Sequence, residues 1–336
     1  MPRSHSPFPD PACRLSDEYP MLAAVLADTR YPPDDLPKLV YADWLEERAD
    51  PRGPFLREWV TAMQADRPRP VAPKGMSACW LSVIGYTLEA AVHRLGYPVW
   101  SDAVLRAARP GVLVSTKPHT GKPFPTGASK VGGLPDLPPD AEWPEGETGP
   151  AAFVAQWNLE ELAASPVCRP LPKTGLLSFF IDLLPFVEDS GDGITKVVYT
   201  PTLNGLEERE PDNERAEENV LRECQVEFFE WLTLPDTSSH TLSRSRLPAG
   251  ALEEYDHCYW AWPSPPFRHQ LFGFPVPIQS DPTPSPPAEW TLLTQLRGDV
   301  NAGLEACDGG AWYFMIHTDD LKEANFKDVL TEFQTG

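Results

Sequence analysis

The chain has 336 residues, 41% of them hydrophobic and 10% aromatic, which is enough apolar surface for a sizeable core and excludes wholesale disorder. Its formal net charge of -21 repels phosphate backbones and anionic lipid surfaces, so we expect no nucleic acid and no membrane as a partner. The 40 prolines predict many irregular connections and few long helices, because proline lacks a backbone donor.

The composition predicts a cytoplasmic protein with free thiols. The first residues lack the apolar run of a signal peptide, and no stretch approaches the roughly 18 apolar residues of a membrane span. The six cysteines are dispersed without a CxxC pair in a chain long enough to fold without crosslinks. They are Cys13, Cys79, Cys168, Cys224, Cys258 and Cys307.

Three short helices are predicted between residues 17 and 63, after a disordered N-terminus over residues 1–16. Apolar residues recur at helical spacing from Asp17 to Leu26. The second helix opens with acidic residues at Asp34 and ends at the basic Arg48, and a third apolar stripe runs from Phe55 to Met63. Three such helices are enough to close a small core.

The second and third helices resemble a short repeat-companion domain of environmental bacteria. The matching residues are Leu39-Val40-Tyr41-Ala42-Asp43-Trp44-Leu45-Glu46-Glu47, Asp50-Pro51-Arg52 and Phe55-Leu56-Arg57. The resemblance implies no chemistry. We expect Asp43, Trp44 and Arg52 to serve packing, capping and salt bridges, and a peptide-docking face is the alternative.

A stretch rich in proline and arginine, from Arg67 to Pro73, predicts a stiff linker over residues 64–77. The large domain is predicted over residues 78–336. Its first segment, Ala78 to Leu95, has the pattern of an apolar helix packed on the large domain, and Val112 to Val114 suggest its first strand.

Two segments about 140 residues apart in the large domain follow one template. Each has a Gly-x-Pro turn, a Trp, an apolar strand with a Gln, and a Gly that opens an aromatic strand. Gln156 lies 23 residues after Gly133, and Gln295 lies 22 residues after Gly273. We therefore predict two like halves about a pseudo-two-fold axis, with a groove where they meet. The halves are placed at about 110–200 and about 255–334.

The pattern within each half predicts mainly antiparallel sheets and short helices. The aromatic strands that begin at Leu176 and Ala311 should be central and buried. Short capped helices are expected at Asn158–Leu162 and Thr318–Lys322, and an acidic helical insertion at about 205–232. The predicted fold class is α+β, a small three-helix module followed by a duplicated domain.

The large domain resembles the YwqG-like family over roughly residues 110 to 334. The matching pieces are Ser129-Lys130-Val131-Gly132-Gly133-Leu134-Pro135, Phe153 to Leu159, Leu171 to Phe180, His269 to Gln279 and Gly310 to Ile316. Trp157 and Arg297-Gly298 depart from the family pattern. The resemblance implies a shared fold and no particular activity.

The most site-like element is Ser129-Lys130 ahead of a double glycine, because a lysine beside open backbone N–H groups suits an anion. The alternatives are a tight turn at the glycines and buried glutamines that bridge strands. The ligand-binding hypothesis covers Lys130, Gly132, Gly133, Gln156, His269, Gln270, Gln279 and Gln295.

Other reactive residues do not form a recognisable set. His257, Cys258 and His269 are too widely spaced for a paired zinc motif, and no G-x-S-x-G element accompanies Asp256-His257. We therefore assign no metal, no cofactor and no catalytic residue.

Two functions remain open at the level of sequence. The first is a non-enzymatic protein-binding or immunity-type module whose acidic surface meets a basic protein partner. The alternative is a small-molecule (anion) binding protein or enzyme that uses the groove between the halves, with Lys130 and His269 as anion contacts. The balance of features favours the first.

Overall fold

The structure is a computed structural model. It describes residues 18–27, 35–65, 67–76, 80–81, 84–86, 108–146, 149–183, 195–211, 220–241, 252–253, 255–256, 259, 269–307 and 309–336. The predicted disordered N-terminus and most of the helix expected at 78–95 lie outside these ranges, as do His257 and Cys258. The chain divides into two compact units. The first is Met1–Pro110, Phe229–Thr237 and Thr241–Pro263, and the second is Gly111–Phe228, Ser238–His240 and Ser264–Gly336.

Three helices open the first unit: α1 (Tyr19–Ala27), α2 (Leu36–Glu46) and α3 (Arg52–Gln64). Proline near the start of α2 suits a first turn, where its missing N–H would have no partner. The helices share one apolar cluster, which includes Val25, Tyr41, Leu45, Leu56, Trp59 and Val60. Assignment of this segment to a separate companion module stays a prediction.

A buried polar network connects the helices. The Tyr41 hydroxyl donates to the Glu18 carboxylate and accepts a hydrogen bond of 2.9 Å from the Trp80 indole. Arg52 binds Glu18 at 2.7 Å and Asp50 at 2.6 Å. Burial and then the Glu18 carboxylate raise the pKa of Tyr41, against the opposing charge of Arg52. The D-P-R sequence therefore fixes the start of α3 against the chain that precedes α1.

The exposed motif residues form surface contacts of the expected kind. Arg57 binds the carboxylates of Asp43 and Glu46. The Arg48 guanidinium lies 3.8 Å from the centroid of the Trp44 ring. The expected packing and salt-bridge roles of Asp43, Trp44 and Arg52 are confirmed.

The segment that follows α3 packs against the same cluster. Residues 67–76 contain no helix or strand. Trp80 has ring contacts with Tyr41 and Phe55, with centroids 6.4 Å and 6.2 Å apart, and Ile84 belongs to the same cluster. Trp80 and Ile84 thus cover the aromatic surface that α2 and α3 offer, and packing of this part of the chain on the large domain stays a prediction.

The remaining regular structure is mainly strand. The strands are β1 (Arg109–Pro118), β2 (Lys130–Val131), β3 (Asp136–Leu137), β4 (Ala152–Asn158), β5 (Leu176–Ile181), β6 (Thr195–Thr200), β7 (Glu207–Glu208), β8 (Cys224–Thr233), β9 (His269–Phe272), β10 (Trp290–Arg297), β11 (Ala311–His317) and β12 (Leu330–Gln334). Two short helices accompany them, α4 (Leu159–Leu162) and α5 (Thr318–Lys322).

Ten strands form one sheet in the order β12-β11-β10-β9-β1-β8-β2-β4-β5-β6, and β3 pairs with β7 in a separate ribbon. The described strand pairings are antiparallel. With five helices among the described residues, the architecture is a mostly antiparallel sheet of the broad α+β kind. The predicted buried aromatic strands are confirmed as β5 and β11. None of the described helices has the length and apolar character needed to cross a bilayer.

The strand order reads alike from its two ends, because β6-β5-β4-β2-β8 is matched by β12-β11-β10-β9-β1. The register agrees as well, since Gln156 lies opposite Lys130 and Gln295 lies opposite Gln270. The pairing of β4 with β5 shifts by one residue at Val154, and that of β10 with β11 shifts at Leu293. Each bulge therefore falls two residues before the Gln.

A cross-strand pair next to each Gln combines one Trp with one Leu. Trp157 of β4 lies opposite Leu177 of β5, whereas Leu296 of β10 lies opposite Trp312 of β11. The four side chains are fully buried in the largest apolar cluster. The Trp is thus on β4 in one pair and on β11 in the other, and the Leu is on the facing strand in each case.

The sheet is nearly closed and its interior is filled by side chains. The Phe179 and Phe314 rings of the two aromatic strands meet at a centroid distance of 5.2 Å. At the two ends of the strand order, Thr195 of β6 donates a side-chain hydrogen bond of 2.7 Å to Thr331 of β12. The apolar interior is therefore common to both ends of the sheet.

The acidic helix predicted at about 205–232 is wrong for the described part of that span, and residues 212–219 lie outside the described ranges. Residues 224–233 form strand β8, and Glu207–Glu208 form β7. Cys224, Val226 and Phe228 contact the interior, while Gln225 between them is exposed. This is an alternation of period two, and the high acidic content of the region concealed it.

The two short helices lie at the predicted positions but not at corresponding places. Asn158 caps α4 by accepting a hydrogen bond from the Glu160 N–H, directly after β4. His317 caps α5 from the end of β11, which corresponds to β5 and not to β4. The two helices therefore follow strands at different places in the strand order.

We predict that G132A destabilises the fold strongly. Gly132 has a φ of +69°, and a Cβ there would lie 2.8 Å from the Arg222 carbonyl carbon. Gly205 is the matched control, because its φ of +79° has open space around it. In urea denaturation, G132A should lose at least about 2 kcal/mol more unfolding free energy than G205A. Equal losses would contradict the tight contact.

Candidate functional site

Lys130 on β2 lies at the centre of a carboxylate cluster. Its side chain is 2% exposed, and its Nζ is 3.3 Å from Glu223, 3.9 Å from Asp136 and 3.9 Å from Glu208. The three carboxylates come from the start of β3, from β7 and from the residue before β8. The structure thus surrounds one buried cation with three anions, which we call the Lys130 cage.

Gln156 orients one member of the cage. Its Nε2 donates to the Asp136 carboxylate at 2.6 Å, and its Oε1 accepts from the Asp136 N–H at 3.0 Å. The Gly127 N–H donates to the same carboxylate at 3.0 Å. Asp136 is therefore held by two donors besides Lys130, and its position is fixed by the turn that Gln156 closes.

The double glycine makes a tight turn whose N–H groups are used within the protein. Gly132 and Gly133 have φ values of +69° and +72°. The Gly132 N–H donates to the Val154 carbonyl at 2.8 Å, and the Gly133 N–H donates to the Leu221 carbonyl at 2.9 Å. These groups are not directed at a bound anion.

The charges around Lys130 favour a cation over an anion. With one ammonium and three carboxylates, an anion that approached Lys130 would also face excess negative charge. Two of the carboxylates reach solvent, since the side chains of Glu208 and Glu223 are 60% and 26% exposed. The cage therefore offers a negative surface to the outside.

A second polar cluster surrounds His269 on β9. Its Nε2 lies 3.3 Å from the Asp299 carboxylate, and its Nδ1 accepts a hydrogen bond of 3.2 Å from the Arg297 N–H. The same Asp299 oxygen accepts a bond of 2.5 Å from the Thr116 hydroxyl. The side chains of His269 and Asp299 have no exposed surface. We call this group the His269 cluster.

Asp299 is ionised within this cluster. Burial alone raises its pKa, but hydrogen bonds from His269 and Thr116 outweigh burial and lower the pKa to about 2. The Asn301 N–H adds a bond of 2.8 Å to the other carboxylate oxygen. The network fixes the loop after β10 against β1.

Cys224 lies close enough to this network for the Asp299 charge to act on its thiol. Burial, and then the negative charge of Asp299, raise the pKa of its thiol to about 11. A thiol with this pKa is almost fully protonated at neutral pH and is a poor nucleophile. Cys224, His269 and Asp299 are therefore residue types found in catalytic sites, but all three are buried, where a substrate does not reach them.

The remaining predicted glutamines bond to nearby backbone. Gln295 Oε1 accepts a hydrogen bond of 2.9 Å from the Val276 N–H. Gln156 Oε1 accepts from the Asp136 N–H in the same way, and each donor lies three residues after the glycine of its turn. Gln270 donates to the Phe272 and Phe274 carbonyls at 2.7 Å and 2.8 Å. Gln279 lies near the end of β12 and donates to the Thr335 carbonyl at 2.9 Å.

Lys130 and His269 lie on opposite faces of the sheet. Lys130 is paired with Gln156 and Gln225, whereas the next residue, Val131, is paired with Cys224 and faces the interior. His269 shares its face with Leu271, which is also interior. The eight predicted residues therefore form separate groups at the Lys130 cage, the His269 cluster and the turns next to β9, β10 and β12.

The sequence reasoning missed the partners that define these groups. Asp136, Glu208 and Glu223 complete the Lys130 cage, and Thr116, Asp299 and Asn301 complete the His269 cluster. Thr116 and Asp299 are 183 positions apart, so only the strand order brings them together. Among the described residues, no three His, Cys, Asp or Glu side chains are arranged to hold a metal ion.

A family model described as a domain of unknown function (DUF1963) matches residues 129–335, which is more than half of the chain. The chain belongs to this family, the YwqG-like family. The predicted resemblance is thereby confirmed over these residues, and both polar clusters are largely composed of them. A search of the curated proteins returns no match.

We predict that K130M destabilises the DUF1963 domain, because three carboxylates would lose their common cation. Breaking a buried ion pair costs roughly 3 kcal/mol or more of unfolding free energy. The matched control is K117M, since Lys117 is 63% exposed and binds Glu227 at 2.9 Å. The K117M variant should lose less than about 1 kcal/mol of unfolding free energy. Equal effects in thermal or denaturant unfolding would contradict the cage.

We also predict that D299N loses its destabilising effect in acid. The folded-state pKa of about 2 is below the ordinary 3.8, so ionised Asp299 stabilises the fold above about pH 4, and this contribution disappears as the pH falls through 2. The unfolding free energy of the wild type should exceed that of D299N by on the order of 2 kcal/mol at neutral pH, and the difference should shrink towards pH 2. Urea denaturation across this range tests it, with exposed D140N as the control. A gap independent of pH would contradict the assignment.

Proposed function

We propose that the protein is a non-catalytic binding module that engages a basic protein partner through the acidic surface at the Lys130 cage. The observation that carries the proposal is the ratio of three carboxylates to one buried lysine, with Glu208 and Glu223 open to solvent. Excess negative charge at a surface attracts lysine and arginine side chains and repels anionic ligands.

Further acidic residues extend the surface beside the cage. Glu207 and Glu208 are exposed on β7. Arg209 donates to the Pro138 and Pro139 carbonyls, so the acidic residues just after Pro139 lie near β7. We call this set the acidic ribbon. It comprises Asp140, Glu142, Glu207, Glu208 and Glu210. Its charge agrees in sign with the net charge of -21.

The second polar cluster supports binding over catalysis. His269 bonds through both ring nitrogens to Asp299 and the Arg297 N–H, and Cys224 is held as a neutral thiol. These groups act within the fold and stabilise it. An anion-binding or enzymatic role at a groove has less support, because Lys130 and His269 lie on opposite faces of the sheet.

The proposal includes an internal duplication of the DUF1963 domain. The matched strand order, the bulge before each Gln and the similar bonds of Gln156 and Gln295 support it. Another correspondence involves different side chains. The Asn158 N–H donates to the Ser129 hydroxyl at 2.8 Å, as the Arg297 N–H donates to His269.

The proposal also treats α1, α2 and α3 as a companion module that serves as an adaptor. The buried Tyr41 and Leu45, the Arg52 network and the Arg57 ion pairs support this assignment, because they assign structural roles to the residues of the matching motif. Such a module adds no chemistry of its own to the acidic surface.

We predict that charge reversal in the acidic ribbon weakens partner binding. The partner is first captured from lysate at low salt and identified, and its affinity for the purified protein is then measured by interferometry. The E207K variant should bind at least about tenfold more weakly than wild type, since it removes local attraction and adds repulsion. Wild-type affinity should fall steeply with added salt.

The matched control is E323K, which changes the net charge by the same amount at an exposed position next to α5. Its affinity should stay within about threefold of wild type, because screening limits the reach of a single surface charge. Equal losses in both variants, a captured partner that is not basic, or no partner at low salt would each contradict the proposal.

A further inference from the structure

The two end strands of the ten-stranded sheet lie side by side. Thr195 of β6 and Thr331 of β12 are hydrogen-bonded at 2.7 Å through their side chains. The Tyr199 and Phe326 rings make a second contact, with centroids 5.1 Å apart. We call this line, from residues 195–200 to residues 326–334, the seam.

The seam differs from other strand boundaries because side chains alone close it. Strand β6 is joined to β5 by a ladder of six residue pairs, and β12 is joined to β11 by five. Between β6 and β12, no backbone hydrogen bond is present in the described ranges. Separation along the seam therefore breaks no ladder, whereas separation elsewhere in the sheet breaks one.

Apolar side chains line the inner side of the seam. Val197 and Tyr199 from β6, together with Val329 and Phe333 near β12, are half-buried and pack on the central cluster. Directly behind them lies the interior that contains Phe179 and Phe314. A gap at the seam would give access to this interior while the ladders stay intact.

We propose that the native sheet opens and closes along the seam, so that the apolar interior becomes accessible without global unfolding. Native proteins open locally where few strong contacts must break, and the seam has one neutral side-chain hydrogen bond, one ring pair and apolar packing but no strand ladder in the part of the chain that the structure describes. The device is independent of the acidic ribbon, since it involves different strands.

Two buried thiols report on opening. Cys168 and Cys224 belong to the interior cluster and are 2% and 0% exposed. A small alkylating reagent such as iodoacetamide reaches them only after the interior opens. Mass spectrometry of their peptides gives the labelling rate, and hydrogen exchange of His269–Phe272 in β9 gives the rate of global unfolding. We expect labelling to be at least about tenfold faster than unfolding.

A disulfide across the seam is the decisive variant. The two Thr Oγ1 atoms are 2.7 Å apart, so T195C/T331C places the sulfurs near the 2.05 Å of a disulfide bond. Oxidation should slow labelling of both reporters at least about tenfold relative to β9 exchange, and reduction should restore it. The T195V/T331V variant keeps the shape but removes the hydrogen bond, and it should label about fivefold faster.

Two labelling results would overturn the proposal, and so would a failure to form the disulfide. One is labelling of Cys168 and Cys224 at the rate of β9 exchange, which would make global unfolding the only route to the interior. The other is equal labelling in the oxidised and reduced forms of T195C/T331C. Failure of the disulfide to form in the folded protein would also contradict the closed state from which the device is inferred.

Discussion

The contact between Phe179 and Phe314 is the interaction on which the large unit depends. Strands β5 and β11 come from opposite ends of the sheet, and their rings meet in the centre of the interior. A single antiparallel sheet of four or five strands buries one face only if something covers it. Here each end of the sheet covers the other, so neither is complete alone. The closing strands, the turns and the polar clusters are placed by this shared interior.

Local patterns in the sequence were sufficient to predict much of this arrangement. The glycine-led aromatic strands and the positions of Gln156 and Gln295 were predictable, because short-range periodicity records burial. The identity of β8 was not, since acidic residues before Cys224 suggested a solvated helix. The cage around Lys130 could not be predicted from the sequence either. Its carboxylates come from residues up to 93 positions away, and only tertiary structure brings them together.

Under the proposed duplication, the two halves share backbone geometry and differ in charge. Gln156 and Gln295 close corresponding turns, yet Lys130 with its three carboxylates corresponds to the neutral Gln270. Conversely, the buried His269 of the second half corresponds to the uncharged Ser129 of the first. Uncharged hydrogen bonds thus maintain the common frame, while each half has its own ionised group. This division explains why a function is better sought in the charged clusters than in the repeated landmarks.

The exchange of Trp and Leu between strands has a consequence for how the interior can change over time. Trp157 with Leu177 and Leu296 with Trp312 fill corresponding space with the same combined volume. Packing therefore constrains the sum of the two side chains and leaves open which strand contributes the larger one. A substitution at one position should therefore be tolerated when the facing residue compensates in volume, so the interior can exchange side chains and keep its packing.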